Sequence, residues 1–364
     1  MAPPARIDQV LPSIVGRDAI GHHTLEAQRV LRSLGFVSEI FAEGIGRELY
    51  GLAHPISELP RLPPARQWLC YQASTGSKVA EIFGDHPACK VLDYHNITPA
   101  EELEGFLPEL ADELRRGRSE VAELASSVSF ALADSAYNKG ELDAWGYGRS
   151  AVSPLMLSPE NLAAVPDRRL SARLAKEKAA GGADWLFVGQ LLPHKAQHDV
   201  VAAFAAYKKA YDPSARLRLV GRRRAPRYAE SLLRLARALE VAEAVHLEES
   251  VSPAELSALY RGCDLYVSCS GHEGFCAPLI EAMHHGLPVV AYAAGAVPET
   301  LGDAGVLLGS KAPALVAAAA ERLMRDGALR ERLLVAGRER AEDFSPARAR
   351  ACFAAQIERA VALG

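Results

Sequence analysis

The chain has 364 residues, of which 49% are apolar, 24% charged and 7% aromatic, and its net charge is −4. That composition describes a globular protein of two domains, and the near-neutral balance excludes a nucleic-acid binder with a basic face and aromatic platforms. The start, "MAPPARIDQVLPSIV", has no basic-then-apolar leader, and no stretch reaches about 18 uninterrupted apolar residues, so neither export nor a membrane span is expected. The six cysteines form no CxxC pair and fit free thiols in a reducing cytoplasm. Residues 1–165 carry 14 Lys+Arg against 22 Asp+Glu and the remainder 27 against 23, which makes the halves −8 and +4. The second half is the better host for an anion.

Short apolar runs alternate with helical patterns along the chain. Strands are predicted at "VSEIFAE" (37–43), "KVLDYHN" (90–96), "FALADS" (130–135), "WLFVGQ" (185–190), "LRLVGR" (217–222), "AVHLEES" (244–250), "LYVSCS" (265–270) and "PVVAYA" (288–293). Between them lie helices such as "HTLEAQRVLRSLG", "DVVAAFAAYKKA" and "YAESLLRLARALEV". This alternation predicts an α/β fold of doubly wound parallel sheets, with ligands at the carboxyl ends of the strands. Prolines, charges and a Gly-Gly in "SPENLAAVPDRRLSARLAKEKAAGGADW" break the alternation. Domains are therefore expected over residues 1–165 and 166–340, followed by a helical segment 341–364.

The stretch "SGHEGFCAPLIEAMHHG" (270–286) joins a strand end to a glycine turn, a helix carrying Pro278 in its first turn, and a closing Gly286. A glycine loop at a helix N-terminus offers unpaired N–H groups and the positive dipole end to a phosphate. Within it Glu281 either complements the dipole or accepts hydrogen bonds from paired sugar hydroxyls, as an acidic residue does for a ribose in dinucleotide folds.

"HEGFCAPLIEAMHHGLPVVAYAAGAVPETLGDAGVLL" resembles the E-x7-E block of retaining GT-B glycosyltransferases of family 4. The resemblance continues upstream through "FVGQLLPHKAQHDVVAAFAAY" and "AELSALYRGCDLYVSCS", and reaches the first half through "GRDAIGHHTLEAQRVLRSLGF" and "YHNITP". It implies two Rossmann-like domains facing a central cleft, the first binding the acceptor and the second the nucleotide sugar, with the C-terminal helix crossing back to the first. It also implies that Glu281 holds the nucleotide ribose and Glu273 the donor-sugar hydroxyls, while the amides of Gly274, Phe275, Cys276 and Leu279 line the sugar and diphosphate, with Gly274 supplying the open geometry. The family's basic pair in the first loop of the second domain falls on Gln190 and Lys195. Gln190 lacks the usual arginine's charge: either Arg222 or Arg223 of "GRRRAPR" supplies it or donor affinity is weakened. In the first domain the phosphate-facing loop falls on Gly16, Asp18 and Gly21, without the family's Gly-Gly, and the histidine near the reacting sugar falls on His95.

The chemistry so implied is transfer of a hexose-type sugar to a hydroxyl acceptor with retention, by a front-face route in which the leaving phosphate takes the acceptor proton. No metal or other cofactor is expected. His22, His23, Cys263, Cys269, His272, Cys276, His284 and His285 lack the paired spacing of a closed zinc site, and the family relies on basic residues and helix dipoles. The rival readings are a GT-B sugar-nucleotide epimerase or hydrolase, a non-catalytic GT-B partner subunit, and a Rossmann oxidoreductase. "GRDAIG" lacks the middle glycine that the oxidoreductase requires. In "PAEELEGFLPELADELRRGRSEVAELA" eight acidic residues face three arginines. This predicts a cytoplasmic enzyme with at most peripheral membrane contact and a soluble or transiently presented acceptor bearing positive charge.

Overall fold

The computed structural model describes residues 6–16, 18–63 and 66–363; residues 1–5, read above for a leader, lie outside it. The chain divides into two compact units. Unit 1 comprises Met1–Glu101, Glu109–Ser158 and Phe344–Gly364, and unit 2 comprises Glu102–Pro108 and Pro159–Asp343. Among the described residues no helix is long and apolar enough to cross a membrane.

Unit 1 is built on seven strands: β1 (Arg6–Ile14), β2 (Ile40–Ile45), β3 (His54–Pro55), β4 (Gln67–Ala73), β5 (Cys89–Tyr94), β6 (Phe130–Ala133) and β7 (Ser150–Val152). All pairings are parallel, in the spatial order β3-β2-β1-β4-β5-β6-β7. The order reverses between β1 and β4, the position at which such sheets open a crevice. The apolar pattern singled out neither of these two central strands, nor the short β3 and β7 at the sheet edges. The central strands, "RIDQVLPSI" and "QWLCYQA", carry Asp8, Gln9, Gln67 and Gln72, all fully buried. Burial is tolerated because each is hydrogen-bonded. Gln67 Nε2 donates to Asp8 (3.0 Å), Gln72 Nε2 to Gln9 Oε1 (2.9 Å) and Gln9 Nε2 to the Thr24 carbonyl (2.9 Å). The strand expected at 37–43 runs instead over Ile40–Ile45, and Val37 makes only a bridge to Arg6.

The helix Pro346–Leu363 belongs to unit 1. Ala349, Phe353, Ile357 and Ala360 recur at four-, four- and three-residue spacing, one face of a helix. That face is fully buried with Ile7, Leu31, Trp68 and Phe130. The acidic stretch forms a helix only from Pro108 to Glu123, with Ala111, Leu114, Gly117 and Val121 buried. Two of its carboxylates turn inward rather than to solvent: Glu113 accepts from the Thr75 hydroxyl (2.6 Å) and Glu120 from the Ser77 N–H (3.1 Å).

Unit 2 holds β8 (Asp184–Val188), β9 (Arg216–Val220), β10 (Val245–Glu248), β11 (Leu265–Ser268), β12 (Val289–Tyr292) and β13 (Val306–Leu308). These are again all parallel, in the order β10-β9-β8-β11-β12-β13. The order reverses between β8 and β11. Trp185 anchors the core against Phe204 and Tyr207, with ring centroids 5.7 and 5.0 Å away.

Candidate active site

The loops that leave β8 and β11 meet where the strand order of unit 2 reverses. After β8 the chain makes a short turn, Pro193–Lys195, then Ala196 adopts the left-handed conformation (φ 49°) and the helix Gln197–Ala210 begins. After β11 the loop ends on Cys276, also left-handed (φ 66°), ahead of the helix Ala277–His284 with proline in its first turn. The Gly271 N–H donates to the His194 carbonyl (2.7 Å) and ties the two loops together. Lys195 Nζ then reaches Glu273 Oε2 at 2.8 Å, with the lysine side chain 22% exposed and the glutamate 8%. The two residues assigned separately from sequence thus form one ion pair at the mouth of the sheet.

A third loop, after β12, holds Glu273 in place. The Ala296 N–H donates to the Glu273 carbonyl (2.9 Å), and the Thr300 hydroxyl donates to the Phe275 carbonyl (2.7 Å). Gly295, at φ 54°, fits beneath this contact: a Cβ there would stand 2.2 Å from the Glu273 carbonyl oxygen. Glu281, half-buried, accepts from the Tyr260 hydroxyl at 2.7 Å. Burial pushes its carboxyl above the ordinary value, and the tyrosine hydrogen bond opposes the rise. Gly295, Thr300 and Tyr260 were not read from the sequence; a glycine in "AAGAVPET" was the only signal for the first.

Phe275, Cys276 and Leu279 are buried beside Gly274. The left-handed position of this loop is Cys276 rather than Gly274, to which the open geometry had been assigned. The Leu279 N–H already donates to the Cys276 carbonyl (3.0 Å), as a first-turn amide does when the helix tightens. The Gln190 carbonyl accepts from Gln197 (2.8 Å), and the adjacent Leu191 N–H donates to the Arg222 carbonyl (2.9 Å). Arg222 therefore stands beside the Gln190 loop, whereas Arg223 is paired with Glu249.

In unit 1 the expected phosphate loop has a different occupation. Asp18 caps the helix Ala19–Ser33, its Oδ1 accepting from the N–H of Ile20 (2.7 Å) and of Gly21 (3.2 Å). The amides that would hold an anion are taken by a carboxylate of the chain itself. The Gly16 N–H donates to Glu48 (2.7 Å). Gly21 serves close packing, since a Cβ there would lie 2.2 Å from the Val15 carbonyl oxygen.

His95 lies in a buried polar network, its side chain 1% exposed. Its Nδ1 faces both Asp134 oxygens at 3.1 Å and its Nε2 faces Gln72 Oε1 at 2.5 Å. Because Gln72 Nε2 is committed to Gln9, the glutamine presents its oxygen, so His95 Nε2 donates to it. Burial raises the pKa of the Asp134 carboxyl and the His95 charge opposes that rise; with Asp134 ionised, Nδ1 donates as well and the ring is an imidazolium. Burial disfavours that charge, but Asp134 and Asp93 outweigh it and raise the pKa to about 9. Nearby, the Met156 N–H donates to His23 Nδ1 (3.0 Å), which leaves His23 Nε2 to donate to Asp93 (2.9 Å). Ligand atoms of His23, Asp93 and His95 come within 4.8 Å of one another, yet these ring nitrogens are all engaged in hydrogen bonds. Asp93 precedes His95 by two residues on the same strand face and was legible in "VLDYHN"; His23, Gln72 and Asp134 had no local signal.

Because the folded-state pKa of His95 lies above the ordinary 6.5, its stabilisation is complete below about pH 6.5 and is lost as pH rises through about 9. Urea midpoints measured across that window should fall on the alkaline side, and His95→Gln should remove that part of the slope. A midpoint that rises with pH there, or an unchanged slope in the variant, would refute the imidazolium assignment.

The fold has counterparts among solved structures. HepE from Anabaena, solved with UDP and glucose, superposes with a TM-score of 0.78 at 16% identity, covering 97% of this chain and 100% of its own. Sucrose-phosphate synthase from Thermosynechococcus elongatus gives 0.73 at 17% identity over 97% and 98%. The architecture is the two-domain GT-B fold of these structures.

Residues 172–340 match the family of group 1 glycosyl transferases. A D-inositol 3-phosphate glycosyltransferase of Corynebacterium diphtheriae is 32% identical over 164 residues, 44% of this chain and 38% of its own length. One from Segniliparus rotundus is 36% identical over 151 residues, 39% of this chain and 33% of its own. The matched stretches thus span well under half of these curated relatives.

Proposed function

We propose that the protein is a retaining glycosyltransferase that moves a hexose-type sugar from a nucleotide-diphosphate sugar to a hydroxyl acceptor in polysaccharide, glycolipid or glycosylated-metabolite biosynthesis. The reading places it in the cytoplasm with at most peripheral membrane contact. The observation that carries it is the Lys195–Glu273 pair at the strand reversal of a group 1 glycosyl transferase domain, beside a helix N-terminus. A diphosphate arriving there competes with Glu273 for the lysine. Lys195 then meets the charge that grows on the leaving group, and Glu273 is released to accept a sugar hydroxyl. Arg222 and the helix N-terminus add to the positive field, so the reading invokes no divalent ion. Glu281 faces the ribose.

Thermal-shift screening of UDP-, GDP-, ADP- and dTDP-sugars identifies the donor, since a ligand of the folded state raises the midpoint by mass action. Product analysis with and without acceptor then tests the reaction. Free sugar or an epimer formed from donor alone, at the rate seen with acceptor, would favour a hydrolase or epimerase. Glu281→Ala should weaken donor binding by roughly 10- to 150-fold, the worth of a charged hydrogen bond of about 1.5–3 kcal/mol. It should also cost about 1–3 kcal/mol of stability by orphaning the Tyr260 hydroxyl, which Tyr260→Phe separates from the binding effect. Unchanged donor affinity by calorimetry would remove Glu281 from the site.

A further inference from the structure

Cys276 precedes the helix Ala277–His284 and is 5% exposed, with its backbone in the left-handed region at φ 66°. A Cβ makes that conformation costly, and a glycine would remove the cost. Gly274 stands two residues earlier, yet the left-handed position falls on the cysteine. Strain held at a buried position beside the Lys195–Glu273 pair points to a use for this side chain.

Its contacts say what that use is. The thiol donates a hydrogen bond to the Glu273 carboxylate, the group that also accepts from Lys195 Nζ at 2.8 Å. Burial, and after it the Glu273 charge, push the thiol well above its ordinary range, and Lys195 opposes the rise. The group thus stays protonated and serves as a donor rather than as a nucleophile. An ionised carboxylate accepts at both oxygens, so one Glu273 side chain can hold the thiol and a ligand hydroxyl together. If a diphosphate draws Lys195 away, a carboxylate only 8% exposed loses its cation and needs another donor. Cys276 is placed to be that donor.

We propose, resting on the transferase reading above, that Cys276 is a positioning residue for Glu273: its thiol keeps the carboxylate in place for a hydroxyl of the donor sugar once Lys195 has turned to the diphosphate. The role concerns the sugar and not the nucleotide, so binding of a nucleoside diphosphate alone is independent of the thiol.

The contact is tested on the full chain without any ligand, by infrared spectroscopy of the S–H stretch, which lies in a window free of other protein bands. The band that disappears in Cys276→Ala should move to higher wavenumber in Glu273→Met, which removes the acceptor; a band that stays in place overturns the contact. Calorimetry then tests the role with UDP-glucose, GDP-mannose, ADP-glucose and dTDP-glucose and with their nucleoside diphosphates. Cys276→Ala keeps the Cβ and the left-handed backbone. It should weaken the nucleotide sugar that binds the wild type by about three- to tenfold and leave the matching diphosphate within about twofold. Cys276→Ser, which restores a donor, should recover the loss. Equal losses for nucleotide sugar and diphosphate, an unchanged nucleotide-sugar affinity, or no recovery in Cys276→Ser would overturn the positioning role while the transferase reading stands. If the wild type binds none of the nucleotide sugars or diphosphates, the transferase reading falls and the role falls with it, whatever the infrared band shows.

Discussion

Replacing Lys195 by alanine is expected to lower turnover by about 10²- to 10³-fold, the effect of removing one preorganised donor from developing oxyanion charge, about 2.7–4 kcal/mol. The geometry sharpens this expectation. The ammonium is already positioned by Glu273 at 2.8 Å and only 22% exposed, so little reorganisation is needed when the leaving diphosphate gains charge. The loss should appear in kcat more than in the preference among donor sugars, and Lys195→Arg should restore part of it. The measurement is kcat and KM with two donors differing only in the sugar. If activity survives within about threefold, less than 1 kcal/mol, Arg222 rather than Lys195 meets the charge.

Gly295→Ala is expected to be as damaging without touching any ligand. A side chain at φ 54° costs about 1–2 kcal/mol for a residue that is not glycine. The added Cβ would also stand 2.2 Å from the Glu273 carbonyl oxygen, so the loop carrying Glu273 must move. The combined cost should be about 2–4 kcal/mol of stability. Donor binding should be lost at temperatures where the variant remains folded, because the displaced Glu273 no longer meets Lys195. Denaturant unfolding and donor calorimetry on the same preparation decide this; wild-type values in both would show that the contact is slack.

The sequence made unit 2 far more legible than unit 1, for a physical reason. Strands buried on both faces read as continuous apolar runs, and β8, β11 and β12 come closest to that. The two strands at the centre of unit 1 carry Asp8, Gln9, Gln67 and Gln72, whose burial depends on partners distant in the chain that no local window contains. The same limit governed the site. Lys195 and Glu273 were placed by the resemblance to the family's motifs, each of which occupies a strand–loop–helix junction. Their pairing across 78 residues was not legible. Asp18 shows the opposite case: an acidic residue at a helix start has a local meaning as a cap, and that meaning describes its contacts in the structure better than a phosphate loop does.

Unit 1 is interrupted in the chain, and this fixes an order of events during synthesis. By the time Asp343 leaves the ribosome every residue of unit 2 is present, while unit 1, begun first, still lacks the helix whose Phe353 and Ile357 fill its core. Unit 1 must wait with an open apolar groove until the segment from Phe344 onward arrives, so a nascent chain stalled just before it would be a ligand for chaperones through unit 1.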